Sequence, residues 1–370
     1  MKKVFSLLVV VCLLVSVFSI NVFAAEETEK NTLTKGYTET FNSQLYRGDV
    51  TGDSKLTIED ASEYLRVASK IKEPKANVDY DLTKDGKITT ADARKALRIA
   101  SGLESTATDE EIFQYFLNEI NSVKNEKPGY LRTATGTCKA AKITITGAPL
   151  KSLNATNMEY VDYLKKNKTM FVLALGGGDA GQAEYDKMIA EAQSVYEPQV
   201  NKKVIEAGSS QHYTYFPVQG LSPACSLKME DIEDIVLNIV DGHYIITVTF
   251  KDYTYDESNP YPATSAEYKS RQQLPYGKIF NLPEFNDEDK YELNKVKLED
   301  GKVIVKMNST TGEIINADYY FKYTADMTVI NNSEEDTAET KDMVTKMTNT
   351  VVLDEYFDMT IKTKEQAGIK

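Results

Sequence analysis

Two short stretches of this chain place carboxylates where they could hold a metal ion. In DVTGDSKLTIED, Asp49, Thr51, Asp53 and Asp60 stand at loop positions 1, 3, 5 and 12, and in DLTKDGKITTAD the same positions hold Asp81, Thr83, Asp85 and Asp92. A hard cation such as calcium takes several oxygens, so a short loop must curl round it. The loop offers alternate side chains, a backbone carbonyl at position 7, here Lys55 and Lys87, and a closing carboxylate at position 12. The rest of the chain gives little for other chemistries. Its only histidines are His212 and His243, and no G-x-S-x-G elbow accompanies them. Gly176-Gly177-Gly178 lacks the Gly-Lys-Ser/Thr ending of a phosphate cradle and reads as a turn.

Each acidic loop runs into one amphipathic helix, ASEYLRVAS after the first and ARKALRIAS after the second. The apolar residues at position 8, Leu56 and Ile88, are expected to pin the two loops together. This is the spacing of an EF-hand without its leading helix. Two such halves in tandem, each closed by Asp, resemble the type I dockerin family over residues 48–104. The resemblance implies a small all-α module holding two calcium ions, with ligands Asp49, Thr51, Asp53, Lys55 and Asp60 in one loop and Asp81, Thr83, Asp85, Lys87 and Asp92 in the other. It also implies a partner, the cohesin domain of a scaffoldin or surface protein, and through it a place in a cellulosome and in polysaccharide breakdown. The residues that would choose the cohesin are Ile58, Glu59, Leu65 and Arg66 in one copy and Thr90, Ala91, Leu97 and Arg98 in the other. Gly86 supplies the sharp turn at position 6 where the first loop has Ser54, so the second loop is expected to bind calcium more tightly.

The elements around these loops set the domain plan. Residues 1–24 read as a secretory signal peptide, with Lys2 and Lys3, an apolar run and a Val22-Phe23-Ala24 cleavage pattern. Residues 25–46 are polar and aperiodic, as in a flexible leader. The calcium module follows at 47–104, and an α+β module fills 109–366. No other apolar run approaches a membrane span, so the chain is expected to be secreted and extracellular. Its net charge of −13 argues against nucleic acid. Outside the signal peptide only Cys138 and Cys225 remain, which an oxidising compartment could pair and a buried core could equally keep as thiols.

Within the second module, Thr108 and Glu111 form a capping box ahead of an amphipathic helix over Asp109 to Lys124, with Ile112, Phe113, Phe116, Ile120 and Val123 on one face. A strand is expected at Lys142 to Gly147, then helices at Met158 to Lys165 and Gln182 to Val195 around the apolar run Met170 to Leu175. Ile232 to Val240 and His243 to Phe250 flank Asp241-Gly242, and Val296 to Leu298 and Val303 to Met307 flank Asp300-Gly301, two expected hairpins. Ile314 to Thr324 and Thr348 to Thr360 alternate as strands. The sum is a large antiparallel sheet with one face covered by helices. Its strand plan is similar to the half-barrels of bacterial lipoprotein carriers, which hold a lipid or other small ligand. No catalytic motif is present; were the module an enzyme, an O-glycosyl hydrolase acting on polysaccharide would suit the dockerin company. The chain has 23 Tyr and no Trp to stack on sugars.

Overall fold

The computed structural model describes residues 38, 41–42, 48–53, 56–76, 78–101, 107–147, 154–217, 224–285, 291–329, 343–361 and 363–369. The expected signal peptide lies outside these residues. Helices α1 (Ile58–Ala68) and α2 (Thr90–Ala100) follow the acidic loops. Each opens on a capping box made with the last carboxylate of its own loop, Thr57 with Asp60 and Thr89 with Asp92. Ala61, Tyr64 and Val67 of α1 meet Ala93 and Ala96 of α2, and Val50, Tyr80 and Leu82 complete a separate small core. At its centre Tyr64 lies edge-on to Tyr80, with ring centroids 5.2 Å apart.

Helix α3 (Asp109–Glu126) begins at the predicted Thr108 and Glu111 capping box and buries Ile112, Phe113, Phe116, Ile120 and Val123. It is followed by β1 (Tyr130–Thr146), β2 (Ala155–Glu159), α4 (Tyr160–Lys166), α5 (Lys168–Ala174), α6 (Gly178–Ser194), β3 (Gln199–Ile205), β4 (Ile232–Val240), β5 (His243–Phe250), β6 (Tyr253–Tyr255), β7 (Tyr291–Asn308), β8 (Ile314–Val329) and β9 (Val344–Asp358). The strands make one antiparallel sheet in the order β2-β1-β9-β8-β7-β5-β4, with β3 also on β1 and β6 also on β7. The fold is therefore α+β. One face of the sheet is covered across most of its width. Helix α3 and aromatic residues such as Tyr276, Phe280 and Phe285 fill it at one end, and α4 to α6 cover it at the other. On this face Phe280 lies tilted against Phe321 with ring centroids 4.9 Å apart and edge-on to Phe250 at 5.1 Å. Among the described residues no helix is long and apolar enough to cross a membrane.

Three local readings differ from the outcome. The strand expected at Lys142 is the second half of β1, whose first half carries Thr, Gly and Ala and so gives little local signal. A bulge between Cys138 and Ala140 shifts the alternation, so Ala134 and Cys138 before it and Ala141 and Ile143 after it all point to the covered face. The apolar run Met170 to Leu175 is helix α5 in large part, packed on α6. Asp300-Gly301 is not a hairpin turn: β7 runs straight through it on a register shift against β8. Gly301 N–H donates to the Tyr276 hydroxyl at 2.9 Å, and a Cβ there would meet the Tyr276 ring at 2.6 Å.

Cys138 and Cys225 are both buried free thiols, in different clusters. His212 is fully buried, edge-on to Tyr130, with its ring nitrogens facing the carbonyls of Ser209 at 2.8 Å and Pro128 at 2.5 Å. Burial lowers its pKa against the pull of those carbonyls. Its place is that of a structural fastener.

Part of the stretch read as leader is docked. Phe41 is buried, stacks on Tyr115 at 4.1 Å and meets Tyr244 edge-on, and the Asn42 amide donates to Ser309 O at 3.0 Å. Thr38 donates to Glu119 at 3.2 Å, beside Gly312, where a Cβ would collide with Thr38 Oγ1. Since Phe41 and Ala107 both belong to the main core, the chain leaves that core for the small module and returns to it.

Burial pushes the Glu119 carboxyl up to about 7, although the Thr38 hydroxyl opposes the shift. The folded state therefore holds a proton that the unfolded chain, with its ordinary value of 4.5, has lost. This side chain's contribution to stability falls as pH rises from 4.5 to about 7 and is flat beyond. Glu119→Gln should match the wild type at pH 4 and exceed it by on the order of 2–3 kcal/mol at pH 8. Urea unfolding at the two pH values measures the difference, and an equal offset at both would remove Glu119 as its source.

Candidate metal centre and docking face

The first loop draws its three carboxylates together. Ligand oxygens of Asp49, Asp53 and Asp60 lie within 4.8 Å of one another, the group of this kind found among the described residues. The backbone shapes the loop round Asp49, whose Oδ1 accepts from the N–H groups of Gly52 at 2.6 Å and Asp53 at 3.3 Å and from the Thr51 hydroxyl at 3.2 Å. Asp60 closes it from the head of α1 and is wholly buried. Its Oδ1 accepts from Val50 N at 3.0 Å and Thr51 N at 2.9 Å, and its Oδ2 from Thr57 N at 2.8 Å and Thr57 Oγ1 at 3.0 Å. Burial raises the Asp60 pKa, and these hydrogen bonds more than offset it, leaving the carboxyl below its ordinary range. A carboxylate offers about four lone-pair sites, so Asp60 is saturated in this arrangement. A cation at the loop must replace part of that set. An all-carboxylate donor set suits a hard divalent ion. Ser54 and Lys55 lie outside the described residues.

In the second loop the carboxylates turn to their own backbone. Asp81 accepts from Asp85 N at 3.2 Å and Gly86 N at 2.8 Å, and Asp85 from Lys87 N at 2.9 Å. Asp92 repeats the part of Asp60, taking Thr83 N and Thr89 N, both hydroxyls, and a pKa that hydrogen bonding lowers against burial. Gly86 has φ +80°, the left-handed turn expected of position 6. Position 4 makes the same demand in both loops, met by Gly52 at φ +88° but by Lys84 at φ +58°. Each loop thus has a glycine at one left-handed position. Ile88 is 40 % exposed, so it does not clamp the loops as expected; the Tyr64 and Tyr80 pair joins the two halves instead.

The residues expected to meet a partner all face solvent. Ile58, Glu59, Leu65, Arg66, Thr90, Ala91, Leu97 and Arg98 are exposed, Leu65 by 49 % and Leu97 by 45 %. On each helix the leucine and arginine sit away from the face that forms the small core.

One acidic pair escaped the sequence reading. Asp318 on β8 and Asp354 on β9 are diagonal neighbours on the uncovered face of the sheet, in the register Asp318 to Tyr356 and Tyr320 to Asp354. Burial first, then the neighbouring Asp354 carboxyl, push the Asp318 carboxyl well above its ordinary range. Its position out of phase with Tyr319 and Phe321 marks it as facing away from the core, but nothing local names its partner strand. Comparison with known families, with curated proteins and with solved structures returns no match to this chain.

Replacing Lys84 by Gly relieves a left-handed backbone cost of about 1 kcal/mol. The ion pair it gives up, with Asp79, is exposed on both sides and contributes little. Amide exchange in the buried part of α2 should slow about two- to fivefold in Lys84→Gly. Unchanged exchange would mean that the strain is not felt in the helix.

Proposed function

We propose that residues 48–101 form a dockerin-type module which binds calcium through its two acidic loops and attaches a secreted protein to a cohesin-bearing scaffold or cell surface. One observation supports this most directly: the eight side chains that the dockerin resemblance assigns to the partner are all exposed, while the neighbouring Ala61, Tyr64, Val67, Ala93 and Ala96 are buried. An exposed leucine beside an arginine does little for a solvated helix, and arginine is enriched at binding hot spots. Calcium in this reading fixes the loops, and so the angle at which α1 and α2 present their Leu-Arg pairs. Because the pairs repeat while Ile58-Glu59 and Thr90-Ala91 differ, either helix contributes to capture.

The test is surface plasmon resonance of the full chain against a panel of cohesins, with calcium and with chelator. Capture should require calcium. Arg66→Glu or Arg98→Glu alone should weaken it about tenfold, the size of one rim-to-core contact, and the two together should abolish it with calcium affinity unchanged by calorimetry. Undiminished capture by the double variant would reject this face, and silence of the wild type on every cohesin would reject the docking role.

A further inference from the structure

The edges of the sheet are unequally protected. Edge strands are normally blunted by lysine, proline or shortness. Strand β2 has five residues, β6 has three, and β3 carries Lys202 and Lys203. Strand β4, which among the described residues pairs with β5 alone, has none of these guards. It is nine residues long and exposes Val236 by 40 %, Ile239 by 52 % and Val240 by 47 %. Its sequence, IEDIVLNIV, is also close to a palindrome about Val236. Ile235 answers to Leu237, Asp234 to the equally sized Asn238, and Ile232 to Val240, while Glu233 and Ile239 break the match.

We propose that β4 pairs antiparallel with β4 of a second copy of this chain, about a two-fold axis that passes between the two Val236 residues and stands perpendicular to the sheet. Such an axis reverses the strand direction and leaves each face on its own side, so the covered faces of the two copies stay together. The palindrome then sets matching side chains across the contact. Asp234, Val236 and Asn238 lie opposite Thr249, Thr247 and Ile245 of β5, out of phase with the buried Tyr244, Ile246, Val248 and Phe250, and so share the uncovered face. There Val236 meets Val236, and the Asn238 amide donates to the Asp234 carboxylate of the other copy. On the covered face Ile235 meets Leu237. No acid of the strand stands opposite an acid, which matters in a chain of net charge −13, because like charges across a pair oppose association.

The backbone agrees with this register. Asp241 and Gly242 both have positive φ in a two-residue turn, which makes Val240 and His243 a hydrogen-bonded pair. Gly242 in turn faces β7, its carbonyl accepting from Ser309 N at 3.1 Å, as the alternation requires. Counted back from Val240, Asn238, Val236 and Asp234 therefore bond to β5, and Ile239, Leu237 and Ile235 point their N–H and C=O groups outward. In the proposed register Ile235 of each copy lies opposite Leu237 of the other, outward group against outward group, and the two exchange both bonds. The Val236 residues form the non-bonded pair between them, where side chains approach most closely. Glu233, the extra residue of a bulge between Ile232 and Asp234, lies beyond this ladder. The contact is isologous and closes at two copies.

Sedimentation velocity of the full chain, over a range of concentration and with chelator present, tests this. The wild type should pass from one copy to two and no further. Leu237→Pro should stay monomeric with its far-UV circular dichroism unchanged, because it removes an N–H that β5 does not use. Asn238→Asp, which sets carboxylates opposite each other across the axis, should weaken the dimer about tenfold and serves if the proline variant does not fold. Under mild oxidation Val236→Cys should give a disulfide-linked dimer and Asn238→Cys should not, since position 236 meets itself and the native Cys138 and Cys225 are buried. A wild type that stays monomeric throughout overturns the proposal, as do growth beyond two copies, dimerisation of Leu237→Pro or Asn238→Asp at wild-type strength, or a cross-link that favours position 238.

Discussion

The larger module depends on one pairing between distant parts of its chain. Strand β1, which follows the first helix, lies along β9, which ends the sheet-forming sequence, from Leu131 opposite Asp358 to Thr146 opposite Val344. Both buried clusters draw residues from that ladder. Tyr130 and Phe357 meet at its one end, in the cluster under α3, while Cys138, Ile143 and Met347 meet further along, in the cluster under α4 to α6. The buried Arg132 and the half-buried Glu355 form an ion pair between the two strands, with Tyr215 against the guanidinium at 4.9 Å. Such a contact closes a very long loop, and the entropy of closure must be met before the burial that rewards it. The small module is built on the opposite principle. Its core comes from two adjacent repeats, and each loop is closed by a carboxylate from the helix that follows it directly.

That difference explains what could be read from residues alone. The repeat was legible because its chemistry is local: carboxylates at fixed spacing, a threonine cap, and a helix whose buried and exposed faces alternate as periodicity requires. The exposed Leu65 and Leu97 could be anticipated on the same grounds. The left-handed backbone at Lys84 could not, because lysine gives no sign of it and the glycine at position 6 draws the attention. Nor could the saturation of Asp60, since the spacing that suits a cation also suits a capping box.

In the larger module the pair Asp-Gly occurs twice with different outcomes. Asp241 and Asp300 have similar positive φ, 49° and 58°, so the dipeptide does the same thing locally. At Asp241 the chain reverses; at Asp300 strand β8 continues on one side, Tyr276 fills the space beside Gly301, and the result is a bulge. The first half of β1 is a strand because β3 and β9 flank it, whatever its own Thr and Gly prefer. Phe41 was hidden for the same reason: an aromatic in a polar stretch without periodicity gives no local sign of burial, and the rings of Tyr115 and Tyr244 give it a place.

The route of the chain through Phe41 and Ala107 has a mechanical meaning. A module hung on one linker transmits a pull through a single thread and swings freely about it. Here the small module is held by two threads, both rooted in the same aromatic core, so a force applied to its outer face divides between them. Extending the connection requires peeling Phe41 from between Tyr115 and Tyr244 on one side, or unseating Ala107 ahead of α3 on the other.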